Sequence, residues 1–158
     1  MNVERMAVIG AGQMGSGIAQ IAAQVGIEVT LADAAGDLAR KGVERIAASL
    51  AKLVEKGKMT AGDRTAVLSR IKAADRLEDY ARAQLLVEAI LENEGVKKEL
   101  FRKADALLAP EAILASNTSS ISITKLAAAT RRPDRFIGMH FMNPPPVMQL
   151  IEIIRVLQ

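Results

Sequence analysis

The sequence predicts an α/β fold, a doubly wound and mostly parallel sheet with helices on both faces. Three observations carry this expectation. Short apolar runs alternate with longer amphipathic stretches, the runs are too brief for helices, and each is bounded by Gly, Asp or Asn. Alternation of this kind favours parallel strands joined by right-handed crossovers. An all-α bundle is the competing arrangement, and the brevity of the Val, Ile and Leu clusters counts against it.

The elements follow in order. Arg5–Ile9 reads as a strand stopped by Gly10, and Gln13–Val25 continues with helical spacing. Glu28–Ala32 is a second strand, entered through Gly26 and closed by Asp33. A long amphipathic helix covers Asp37–Lys56 and a shorter one Ala61–Arg70. Gln84–Ile90 is a third apolar run, followed by a helix over Gly95–Leu108 and a short strand at Ala112–Ala115. Ile123–Ala129 is helical, Arg135–His140 a strand, and Met148–Ile154 a last apolar run beyond Pro144, Pro145 and Pro146.

Composition narrows the chemistry. With 158 residues, half of them hydrophobic and 25% charged, the chain suits one domain with a substantial core. It has no Cys, which excludes disulfides, thiol nucleophiles and cysteine-bound metals. A single His excludes a multi-histidine metal centre and leaves His140 as the only imidazole for acid–base work. No metal site is expected. Aromatics at 3% leave little for stacking nucleic-acid bases, and no apolar run approaches the length of a membrane span. A soluble, cytoplasmic protein is expected, with neither nucleic acid nor membrane as partner. The net charge of +3 is local, because the window Arg40–Lys58 carries six basic and two acidic residues.

Gly10-Ala11-Gly12-Gln13-Met14-Gly15 follows the first strand and opens the first helix, the setting of a Rossmann-type dinucleotide loop. Gly10 permits the tight turn, Gly12 admits a pyrophosphate to the backbone, and Gly15 lets helix and strand pack closely. Free N–H groups and the helix dipole would hold the phosphates. Asp33 ends the second strand, 18 residues after Gly15, where a carboxylate accepts hydrogen bonds from the adenosine ribose. A carboxylate there repels a 2′-phosphate, and Ala34 and Ala35 supply no Arg to bind one, so NAD is favoured over NADP. A structural turn followed by a solvated Asp is the plainer alternative.

Three more segments stand beside this loop: Glu88-Ala-Ile-Leu-Glu-Asn93, Ser116-Asn-Thr-Ser-Ser120 and Gly138-Met-His-Phe-Met-Asn-Pro144. With the loop, they resemble the nucleotide-binding domain of L-3-hydroxyacyl-CoA dehydrogenases, including the 3-hydroxybutyryl-CoA type, over nearly the whole chain. The resemblance implies oxidation of a 3-hydroxyacyl-CoA to the 3-oxoacyl-CoA, or the reverse, with NAD as cofactor. It implies that His140 is the acid–base group, that Glu152 is the carboxylate orienting it, and that Ser119 hydrogen-bonds the substrate oxygen near the nicotinamide. Glu92, Lys97 and Asn143 match cofactor contacts of the family. Each also has a plain structural reading: a strand-end acid, a solvated helix Lys and a turn Asn. Ser120 is the choice for capping the helix that follows.

On the long helix, Lys41, Arg45, Ser49, Lys52 and Lys56 share the face opposite the apolar one. A stripe of this kind is commonly a solvated surface. Ser49 and Lys56 match coenzyme A contacts of the family, and cations there would meet the phosphates of an acyl-CoA substrate. Relatives of this type continue past the equivalent of Gln158 with a helical domain that supplies dimer contacts and a catalytic Asn. Residues 1–158 are therefore expected to be the NAD-binding domain of a two-domain, homodimeric enzyme, very weak or inactive alone. Val156 stands where relatives often have Gly. The rival expectation is a module that binds NAD and coenzyme A without catalysis.

Overall fold

The computed structural model describes residues 2–157. Seven strands form one sheet in the order β3-β2-β1-β4-β5-β6-β7. They are β1 (Arg5–Ile9), β2 (Glu28–Ala32), β3 (Ile71–Ala73), β4 (Leu85–Glu88), β5 (Ile113–Ser116), β6 (Phe136–Phe141) and β7 (Ile151–Arg155). All neighbours pair in parallel except β6 and β7, which are antiparallel. The helices are α1 (Gln13–Gln24), α2 (Gly36–Glu55), α3 (Ala61–Ser69), α4 (Glu94–Leu107) and α5 (Ile123–Ala127). Short 3-10 turns cover Leu77–Tyr80 and Pro133–Arg135.

The doubly wound prediction holds, and β1 shows why. Its side chains alternate, so Met6 and Val8 enter one hydrophobic core while Ala7 and Ile9 enter the other. The first core packs α1, α2 and α3 on one face of the sheet through Ile18, Ile46, Leu50 and Val67. The second packs α4 and α5 on the other through Phe101, Leu126 and their neighbours, with the Phe101 and Phe136 rings edge to face at 4.6 Å. A strand buried on both sides must be apolar throughout, as RMAVI nearly is.

Two features depart from the sequence reading. β3 is only three residues, too brief to display a period of two. The last strand starts at Ile151 rather than Met148, because Met148 and Leu150 are apolar yet exposed and unpaired in the sheet. Val156, where relatives often have Gly, packs against the second core. No helix among the described residues is long and apolar enough to cross a membrane.

The winding places one family of chain ends together. The carboxyl ends of β1, β2, β4, β5 and β6 all open toward the same edge of the sheet. Chain order reverses between β1 and β4, and a crevice forms at such a switch point.

Candidate active site and cofactor cleft

A cavity of about 910 Å³ occupies that crevice and is lined by Gly10, Gly12 and Asp33 together with apolar groups such as Ala74, Ile90 and Leu100. Backbone geometry explains the glycines. Gly10 has φ +107°, and a Cβ there would lie 2.4 Å from the carbonyl oxygen of Ala89. A Cβ on Gly15 would lie 1.6 Å from the carbonyl oxygen of Gly10, which no side chain survives. Gly12 differs, since a Cβ there would meet nothing within 4 Å. The open space beside Gly12 belongs to the cleft, and an anion can approach the backbone through it. The loop therefore fits a dinucleotide, with Gln13 exposed and Met14 half-buried at the start of α1.

Asp33 sits at the end of β2 and ties the loop to it. One carboxylate oxygen accepts from the Ala11 N–H at 2.6 Å, the other from the Ala34 N–H at 2.7 Å. Each oxygen keeps a lone pair for a further donor such as a ribose hydroxyl. The expectation of no nearby Arg needs correction, because the turn after β3 brings Arg76 into the same wall. Arg76 is paired with Asp79 at 3.8 Å, and neighbouring Arg40 with Asp75 at 2.6 Å. Both cations are therefore engaged by carboxylates.

Beyond β4 lies a buried polar cluster that residue-by-residue reading missed. Glu88 is wholly buried, accepting from Ser116 Oγ at 2.6 Å and from the Ile90 N–H at 2.8 Å, and it contacts the Lys97 ammonium. Lys97 is 1% exposed, so it is no solvated helix lysine. Its other protons go to the Ile90 carbonyl at 3.3 Å and to Glu92 at 3.0 Å. An ammonium has three donors, and all three are in use. Glu92 also accepts from Thr118 Oγ1 at 2.6 Å and Ser120 Oγ at 2.9 Å. Partial burial works to raise the Glu92 carboxyl, but the Thr118, Lys97 and Ser120 hydrogen bonds outweigh it and hold the group below the usual carboxylate range. Ser120 thus serves Glu92, and Ser122 rather than Ser120 caps α5 by accepting from the Lys125 N–H.

The acid–base candidates lie one strand further along. His140 and Glu152 are directly opposite in the β6–β7 register, which points both side chains to one face. His140 Nδ1 lies 2.8 Å from Glu152 Oε2. In a neutral ring this contact selects the tautomer whose Nδ1–H donates to the carboxylate, which leaves Nε2 as the acceptor. The imidazole is 22% exposed and the carboxylate 54%. Asn117 Oδ1 accepts from the Phe141 N–H at 2.8 Å, locking the end of β6 to the end of β5. Ser119 and Asn143 are both exposed, on the loops that follow β5 and β6. Pro145 and Pro146 rest on α1 at Gly17, where a Cβ would come within 2.9 Å of Pro145. That contact draws the loop after His140 toward the glycine loop.

Ser49 and Lys56 do not join this assembly. They lie along α2 with Ser49 half-buried and Lys56 exposed, about 20 and 30 Å from its start by helical rise. Among the described residues no cluster of His, Asp and Glu is arranged to hold a metal ion.

Residues 5–158 match the family model described as 3-hydroxyacyl-CoA dehydrogenase, NAD binding domain. The chain belongs to that family. A 3-hydroxybutyryl-CoA dehydrogenase of Bradyrhizobium diazoefficiens is 52% identical over 153 residues, covering 97% of this chain and 52% of the relative. Among solved structures, the (S)-3-hydroxybutyryl-CoA dehydrogenase PaaH1 of Ralstonia eutropha superposes with a TM-score of 0.96 at 46% identity. It covers 99% of this chain and 56% of its own. FadB2 of Mycobacterium tuberculosis gives 0.94 at 45% identity, covering 97% and 54%. The chain thus spans about half the length of the relatives it matches. NAD is the cofactor of this family's domain.

Proposed function

We propose that this chain is the nucleotide-binding half of a dehydrogenase that interconverts a 3-hydroxyacyl-CoA and the corresponding 3-oxoacyl-CoA. The observation that carries the reading is the His140–Glu152 pair, held at 2.8 Å at the same sheet edge as the glycine loop. When bound, NAD supplies the hydride acceptor for the carbon bearing the hydroxyl. His140 Nε2 takes the hydroxyl proton, and the resulting imidazolium is met by the Glu152 carboxylate already on Nδ1. Ser119 donates to the substrate oxygen from the loop after β5. Asp33 holds the adenosine ribose, and Gly10 to Gly15 cradle the pyrophosphate with Ala11, Gln13 and Met14 in the loop. Asn143 and Glu92 border the nicotinamide end. Lys97 acts there through Glu92, because none of its protons is unspent. Ser49 and Lys56 meet the coenzyme A phosphates along α2.

The test is turnover of acetoacetyl-CoA with NADH by the dehydrogenase that carries this domain. His140→Gln should lower kcat by about 10²–10⁴-fold, the usual worth of a placed acid–base group. A near-normal kcat would overturn the assignment, since the chain has no second histidine.

One observation favours a second reading for the domain by itself. Every residue of β7 is exposed, and more than half of the Glu152 side chain faces solvent. A catalytic pair so open to water loses much of its electrostatic leverage. The isolated domain would then bind NAD and coenzyme A and turn over little.

A further inference from the structure

The polar stripe of α2 is broken by one member. Arg45 is exposed along its length, but its guanidinium reaches back and donates through Nη1 to the Ala11 carbonyl at 2.6 Å, with Ser16 Oγ at 3.3 Å. Ser16, itself 2% exposed, donates to the same carbonyl at 3.0 Å. One turn earlier, α2 presses against the same residue at Gly42, where a Cβ would lie 2.8 Å from Ala11 Cβ and 3.2 Å from its carbonyl oxygen. Among the described residues no carboxylate lies within 4.0 Å of Arg45.

The peptide plane gives this contact a purpose. In a trans peptide the carbonyl of Ala11 and the N–H of Gly12 point in opposite directions. Arg45 and Ser16 hold the oxygen toward α2, so the Gly12 N–H is turned the other way. That side is the open one, where Gly12 lines the cleft with Gly10 and Asp33. A cation on the oxygen also polarises the amide and strengthens its N–H as a donor. From the other flank the Ala11 N–H is fixed by Asp33.

We infer that Arg45 is a positioning residue for the cofactor pyrophosphate. It orients the Ala11–Gly12 peptide toward the phosphates and places an unmatched positive charge behind it. The inference rests on the reading that NAD binds at the glycine loop. It also separates Arg45 from Lys41, Lys52 and Lys56, which remain on the outer face of α2.

The experiment titrates this chain with NADH, ADP-ribose and adenosine, the weaker ligands by competition against NADH fluorescence. Arg45→Met should weaken NADH and ADP-ribose about tenfold while adenosine stays within twofold, because adenosine carries no phosphate. Arg45→Lys keeps a cation without the planar fork and should recover part of the loss. A role confined to bracing the fold predicts a fall in thermal midpoint and equal losses for all three ligands, and that pattern would overturn the inference. So would NADH binding unchanged within twofold in Arg45→Met. Failure of the unsubstituted chain to bind NADH or ADP-ribose removes the cofactor reading itself, and the inference with it.

Discussion

The two ends of the cleft are built by different means. At β1, β2 and α1 the work is done by backbone: a Cβ added at Gly10 or Gly15 would run into the carbonyl oxygen of Ala89 or of Gly10, beside a buried core. At β6 and β7 it is done by two side chains facing each other on an exposed edge. Ligand binding and folding share the same atoms at the first end. At the second they are separable, because neither His140 nor Glu152 is buried. The difference teaches where a substitution will unfold the protein and where it will only disarm it.

Gly15→Ala tests the first end most severely. The added methyl collides with backbone, so something in β1 or α1 must move, and a stability loss of about 3 kcal/mol or more is expected in urea titration. NADH affinity should fall with it. Gly12→Ala sharpens the contrast. Its methyl enters open space, so stability should stay within about 0.5 kcal/mol while NADH binding weakens by tenfold or more. Equal stability losses in the two variants would break the distinction.

At the other end, Glu152→Gln should lower kcat by about 10²-fold, roughly 2.7 kcal/mol of barrier, with the thermal midpoint and NADH affinity nearly unchanged. Combined with His140→Gln it should add little, because the two act as one unit. Fully multiplicative losses would mean that the residues work independently. The smallest effect expected is cofactor choice. NADH should bind at least tenfold tighter than NADPH, about 1.4 kcal/mol, and Asp33→Asn should narrow the gap. Calorimetric titration with both nucleotides reads this directly. Equal affinities in the unsubstituted chain would show that Arg76 or Arg40 escapes its carboxylate.

What was legible in the sequence follows the same division. β1 and β2 are bounded to the residue, since Gly10, Gly26 and Asp33 punctuate short runs that are mostly buried. The glycine loop declares itself because its requirement is local, a turn that side chains would obstruct. β3 escaped because three residues carry no periodicity. β7 was placed three residues early, because apolarity marks neither burial nor pairing at an exposed edge. The polar connections were hidden by distance along the chain. Arg45 reaches back 34 residues to Ala11, and Glu92 gathers Thr118 and Ser120 from 26 and 28 residues ahead. Ser120 is the expected cap of α5, but the helix starts at Ile123, so its neighbour Ser122 takes the cap while Ser120 turns to Glu92. His140 and Glu152 were nominated by family resemblance. Their spacing of 12 residues has no meaning until a hairpin closes between them.

That hairpin has an evolutionary corollary. Side chains alternate across a strand, so the register of β7 against β6 decides which residue faces His140. A slip of one residue in that pairing would present Ile151 or Ile153 to the imidazole in place of a carboxylate. A slip of two would restore the face yet carry Glu152 about 7 Å along the strand. The connecting segment, residues 142–150, is therefore open to drift in composition and length only while that register is kept.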